Sequence, residues 1–206
     1  MPWGADLMHA VASHLQRNGW ATWNIEYRRV GVAGGGWPGT FLDVAAAVDA
    51  LASLSPPTLR LRSTVAIGHS AGGQLALWLA ARNALPPGAP GANPRLVPSA
   101  VIGLAPISDL VAAAALGLGH DAAQELLGAG PEEDHDRYAL ASPRSRLPLG
   151  VPQILIHGTE DPCVPVSMTE DYATAASAAG DSVEFVGLRA GHAEMIDPAS
   201  PAWTTV

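Results

Sequence analysis

Gly68-His69-Ser70-Ala71-Gly72 sets a serine between glycines at the spacing that lets a chain fold back sharply, and Val65-Ala66-Ile67 before it reads as a short buried strand. A serine at the apex of such a strand-to-helix turn has its hydroxyl held above the strand end, where it can act as a nucleophile in acyl transfer. The following helix, Ala71 to about Asn83, starts beneath that hydroxyl, so its first N–H groups, that of Ala71 foremost, face any oxyanion that forms. Two further acid–base groups follow apolar runs: Asp161 lies beyond Val151–His157, and His192 lies beyond Ser182–Leu188. Ligands of parallel sheets bind outside the carboxyl ends of the strands, which puts Ser70, Asp161 and His192 on one edge.

The elements that must position these groups read in alternation. Asp6 to Arg17 carries Leu7, Met8, Val11, Ala12 and Leu15 at helical spacing and is closed by Asn18-Gly19. Trp20 to Tyr27 has the β-branched and aromatic character of a strand. The loop Gly31–Gly39 has neither G-x-G-x-x-G nor a Walker lysine, which argues against a phosphate cradle and for a flexible loop with Trp37 at a pocket rim. Thr40 to Asp43 resembles a capping box that opens an Ala-rich helix to about Leu54, stopped by Ser55-Pro56-Pro57. After a Pro-rich surface connection, Leu85–Pro98, come a strand at Ala100–Ala105, a helical stretch from Leu110 to about Leu127 broken by Gly117 and Gly119, and an acidic, solvated segment at Pro131–Arg137. A helix, Ser167–Ala179, precedes the last strand. The order predicts an α/β domain over residues 1–206, a mostly parallel, doubly wound sheet with a small helical insertion at about 107–148. Trp37, Pro106 and Val164, each in a loop beyond one of these elements, are candidate pocket residues.

With 48% hydrophobic and 15% charged residues in 206, the chain can bury one sizeable core, and a formal charge of −8 argues against nucleic acid or an anionic membrane as partner. Cys163 alone excludes an internal disulfide. No pair of histidines has H-x-x-x-H spacing and the lone cysteine has no companion, so no metal is expected. No apolar run reaches a bilayer's ~20 residues, and Met1–Asp6 lacks the basic start of a signal peptide, so a soluble, cytoplasmic protein is expected. A small neutral ester or amide is the expected partner; self-association as a homodimer stays open. His69 is expected to pack beneath the turn and His157 to be structural, while His9 and His14 face solvent.

The motifs G-H-S-A-G-G, H-G-T-E-D-P-C-V-P and A-G-H-A-E-M, in the chain order Ser, Asp, His, resemble the α/β-hydrolase superfamily over nearly the whole length. Within it, E-Y-R-R with F-L-D-V-A-A-A-V-D-A-L is similar to the esterase branch that includes bacterial kynurenine formamidase-like and hormone-sensitive-lipase-like enzymes. The resemblance implies hydrolysis of carboxylic esters or aryl formamides without a cofactor. Ser70 would attack the carbonyl, His192 would take and return its proton, and Asp161 would fix the imidazole tautomer. Glu160 is the runner-up for that last role and Asp197 a third choice. The rival class is a binding protein of the same fold that does not turn over.

The family's H-G-G-x-W-type segment, which supplies oxyanion N–H groups after an interior strand, has no counterpart here. Ala71 is then the one oxyanion donor with a candidate. The sheet would carry an interior gap between Trp20–Tyr27 and Val65–Ile67, leaving backbone groups unpaired at about 1–3 kcal/mol apiece. Either the sequence is the later part of a longer chain, or the two flanking strands pair directly; the first is the expectation, because elbow and triad are otherwise complete.

Overall fold

The computed structural model describes residues 4–54 and 63–204. Within them the chain forms α1 (His9–Arg17), α2 (Gly39–Leu51), β1 (Val65–His69), α3 (Ala71–Ala81), β2 (Ala100–Leu104), α4 (Leu110–Ala115), α5 (Ala122–Leu127), α6 (His135–Ala141), β3 (Gln153–Gly158), α7 (Val166–Ala178) and β4 (Val183–Leu188). The sheet is four-stranded in the order β1-β2-β3-β4, and all its pairings are parallel. Three neighbouring parallel pairings require crossovers, and α3 and α7 belong to two of them. This is the parallel α/β architecture expected from the alternation.

Side chains alternate across the sheet and divide the core. Val101 and Leu155 face α3 and α7, meeting Leu77, Ala80, Tyr172 and Ala176. Leu104 and Ile156 face the other way with Ile67, Ile102, Val186 and Met195, under the short 3-10 turns Ala193–Ile196 and Pro201–Thr204. On that side His14 of α1 sets its ring edge-on to Trp203 at 5.4 Å. A further cluster joins α2 and the outer face of α3 to α4–α6 through Phe41, Val48, Trp78, Leu110, Leu127 and Tyr138. Arg82, only 1% exposed, pairs with Asp49 of α2 at 2.7 Å and so ties that helix to the end of α3. Gln74 and Trp78 of α3 donate to the carbonyls of Ala141 and Leu140, which anchors the helical insertion. No helix among the described residues is long and apolar enough to cross a membrane.

Several expectations change. The stretch 20–29 has no regular structure, and Trp20 and Trp23 are 56% and 50% exposed. Strand propensity is local but a strand needs a ladder, and among the described residues β1 pairs with β2 alone, so the two flanking segments do not close the gap between them. Side chains hold this stretch instead: Trp23 Nε1–H donates to Ala47 O at 3.1 Å, and Arg28 forks onto Asp43 at 2.7 Å through both Nε and Nη2. Those bonds also dissolve the capping box. Asp43 is occupied by Arg28, Thr40 donates its hydroxyl to Arg28 O, and α2 starts at Gly39 after Pro38. The helix ends at Leu51 rather than near Leu54, and the Ser55-Pro56-Pro57 stop lies outside the described residues. The first helix opens with a 3-10 turn, Ala5–Met8, and the glycine-broken stretch resolves into α4 and α5.

Candidate active site

β1 ends at His69, and Ser70 stands at φ 55°, ψ −119° before α3 begins. Positive φ is uncommon for a residue with a Cβ, and it persists only where the surroundings hold it. Here Ser70 N–H donates to Leu104 O at 2.9 Å, and the Ser70 carbonyl accepts from Gln74 and Ile107. Close backbone approach completes the elbow. A Cβ at Gly68 would lie 2.0 Å from Gly72 O, and one at Gly73 would lie 2.8 Å from Pro106 Cβ. At Gly72, the second glycine of the motif, a Cβ would meet nothing within 4 Å. Gly68 and Gly73 are therefore the sterically required pair, and a reading of G-x-S-x-G alone misses Gly73. Ala71 is exposed at the first position of α3, where its N–H has no acceptor inside the helix.

Asp161 sits in the loop after β3. Its Oδ1 accepts from the N–H groups of Cys163 and Val164 at 2.8 and 3.0 Å, and its Oδ2 lies 2.6 Å from His192 Nδ1. The carboxylate is wholly buried, while the His192 side chain keeps 18% exposure. Burial by itself would raise the Asp161 pKa, but the Val164 N–H, His192 and the Cys163 N–H outweigh it and hold the carboxyl below its usual range. The loop bearing His192 is pressed against the end of β3: a Cβ at Gly158 would fall 2.1 Å from Ala190 O, and Glu160 N–H donates to that same carbonyl. Glu160 itself points outward to Arg189 at 2.8 Å, and Asp197 accepts from Ala199 N–H, so neither competing carboxylate reaches His192.

The elbow and the histidine loop meet through His69. Its Nε2 lies 2.9 Å from His192 O and its ring is 4.4 Å from the His192 ring, so the residue before Ser70 holds the backbone of His192. Burial foremost, with His192 adding to it, pushes the His69 pKa down to about 4, so the ring is neutral and donates. The arrangement thus joins Asp161 and His192 directly and sets Ser70 beside the residue that links them to the elbow. The ligating atoms of Asp161, Cys163 and His192 lie within 4.8 Å of one another, yet the carboxylate oxygens are already met by four donors, those of Cys163, Val164, His192 and His157, which is the pattern of a hydrogen-bonded carboxylate rather than of a cation cradle.

The expected pocket residues fare differently. Pro106 is buried against Gly73 and Gly103, and Val164 is 3% exposed beneath the Asp161 turn, so both are packing residues rather than open walls. Trp37 is half-buried, edge-on to Phe41 at 5.1 Å, with its N–H on Leu126 O.

This sheet and elbow define an α/β-hydrolase. A family model matches residues 4–175, and the chain belongs to that family, BD-FAE, which is esterase-like. Solved structures agree in fold. A truncated carbohydrate esterase from gut microbiota superposes with a TM-score of 0.69 at 21% identity, covering 88% of this chain and 70% of that one. The butyrate-bound esterase Est2 of the planctomycete Thermogutta terrifontis gives 0.62 at 24%, covering 81% and 60%. An acetyl ester-xyloside bifunctional hydrolase from Caldicellulosiruptor lactoaceticus gives 0.63 at 22%, covering 86% and 64%. A search of curated protein sequences returned no significant match.

Proposed function

We propose that this protein is a serine hydrolase of small carboxylic esters acting through an acyl-enzyme. Ser70 Oγ attacks the ester carbonyl as His192 Nε2 takes its proton; the tetrahedral oxyanion is met by the Ala71 N–H; the alcohol leaves with the proton returned by His192; and water, activated by the same ring, releases the acid. The observation that carries this reading is the 2.6 Å contact of Asp161 Oδ2 with His192 Nδ1, which fixes the tautomer whose Nε2 accepts a proton.

The names of the structural relatives suggest acetyl and other short acyl esters on carbohydrates as the first substrates to try. Aryl formamides, which the E-Y-R-R resemblance implies, would use the same attack. Incubation with a fluorophosphonate and p-nitrophenyl acetate tests the mechanism: an adduct on the Ser70 peptide and steady release of nitrophenol are expected. Neither adduct nor turnover would leave a non-catalytic binding protein of this fold as the better reading. Acetylated xylosides compared with N-formylkynurenine then separate the substrate classes.

A further inference from the structure

His157 is the last residue but one of β3, and the alternation that turns Leu155 towards α7 turns His157 the same way, into full burial. Its Nδ1 lies 2.7 Å from Thr169 Oγ1 of α7; its Nε2 lies 3.0 Å from Val164 O and 3.2 Å from Asp161 Oδ2. A carbonyl and a carboxylate can only accept, so Nε2 must carry the proton; Nδ1 is then the acceptor, and Thr169 donates to it. The Val164 carbonyl that takes this proton belongs to the residue whose own N–H holds Asp161 Oδ1. Burial above all keeps the His157 pKa below its ordinary value, and the ring serves as a neutral donor.

We propose that His157 is a positioning residue of the triad: as the Nε2–H tautomer fixed by Thr169, it grips both the Asp161 carboxylate and the turn that carries it, and moderates the pull of Oδ2 on His192. The catalytic consequence rests on the serine-hydrolase reading above; the geometry does not. The titratable groups facing His192 are Asp161 and the free thiol of Cys163 from the β3–α7 loop, His157 from β3 and His69 from β1. Glu194 lies on its own turn against Gly191, and Glu160 and Arg189 pair with each other on the exposed flank.

Histidine 15N NMR of the intact chain reads this without turnover. In the native chain His157 should show the Nε2–H tautomer at neutral pH. In His157→Phe the carboxylate loses a donor and Oδ2 pulls harder on its remaining partner, so the His192 Nδ1–H proton resonance should move downfield. His157→Gln, whose amide N–H can replace Nε2–H, should bring it back. On p-nitrophenyl acetate the Phe variant should lose about tenfold in kcat with KM unchanged, a misplacement effect, and the Gln variant should recover. An Nδ1–H tautomer in the native chain, an unmoved His192 Nδ1–H resonance in the Phe variant, or a Gln variant as displaced as Phe would each overturn the proposal. Should the Phe variant fail to fold, the native tautomer decides. A chain that shows the expected tautomer and resonance shift and hydrolyses nothing would sink the serine-hydrolase reading and leave the His157 assignment standing.

Discussion

The loops at the carboxyl edge of the sheet and the stretch 20–28 are both irregular, yet they are held in opposite ways. At the edge, backbone meets backbone: Gly68 against Gly72, Gly158 against Ala190, Ser70 N–H on Leu104 O. The stretch 20–28 is fastened from outside, by the Arg28 fork on Asp43, the Trp23 N–H on Ala47 O and the Thr40 hydroxyl on Arg28 O, with Trp20 and Trp23 half in solvent. Close backbone approach leaves few alternative conformations, which is what a catalytic constellation requires; side-chain ties across an exposed surface leave many. Substitutions at the edge should therefore act strongly and on chemistry, and those in the stretch weakly and on stability alone.

The largest expected effect tests the edge directly. If Ser70, His192 and Asp161 act as a unit, Ser70→Ala should remove about 10⁶-fold in kcat and Asp161→Asn about 10⁴-fold through the wrong tautomer. Steady-state kinetics on p-nitrophenyl acetate would show it, and unchanged turnover in either variant would mean that the chemistry lies elsewhere. Ser70→Ala should melt like the native chain, because the elbow is fixed by backbone contact, whereas Asp161→Asn, which puts an amide NH2 among donors, should also lose stability.

Much of this edge was legible from residue types. Ser70, Asp161 and His192 could be picked out because each follows an apolar run of strand length, and only Asp161 among the nearby carboxylates faces inward, a point that Glu160 beside it left ambiguous until its pairing with Arg189 was seen. What could not be read was anything that depends on two distant segments meeting. Gly73 is required because Pro106 packs on it, and His157 matters because α7 brings Thr169 to its ring. The same limit misplaced Trp20–Tyr27. Its residues favour a strand, but strand formation is settled by a partner, and β1 offers it none.

Next in size is the elbow's backbone. Gly68→Ala places a methyl 2.0 Å from Gly72 O, and relieving it means opening the turn, at about 4 kcal/mol or more. Against a domain stability of about 5–15 kcal/mol that would leave the variant close to unfolding. Gly72→Ala meets nothing within 4 Å and should be neutral, or stabilise by about 0.4–1 kcal/mol by restricting the unfolded chain. Urea titrations of the two should move in opposite directions; equal losses would mean that the motif's glycines are not distinguished by contact.

A smaller effect follows from His69, whose pKa is pushed from 6.5 to about 4. The unfolded chain takes up a proton at this ring below pH 6.5 and the folded chain does not until about 4, so stability is full above that window and falls as pH drops through it. At 1.36 kcal/mol per unit the ring's share is about 3 kcal/mol. His69→Gln, which can still donate to His192 O but does not titrate, should flatten this part of the Tm–pH curve. A curve as steep in the variant would assign the acid sensitivity to other groups.

The smallest effect closes the comparison at the other region. Trp23 is half-exposed, and its indole N–H reaches Ala47 O at 3.1 Å near the middle of α2. Truncation to Ala frees an acceptor that water can reach and removes little buried surface, so the loss should be about 0.5 kcal/mol, with kcat unaltered. The same truncation at Trp78, which is 0% exposed and meets Phe41 edge-on at 4.9 Å, would cost about 3–5 kcal/mol. Paired denaturant melts of the two variants give the ratio. A Trp23→Ala loss approaching that of Trp78→Ala would show that side-chain ties hold the stretch 20–28 as firmly as backbone contact holds the edge, and the contrast between the two regions would fail.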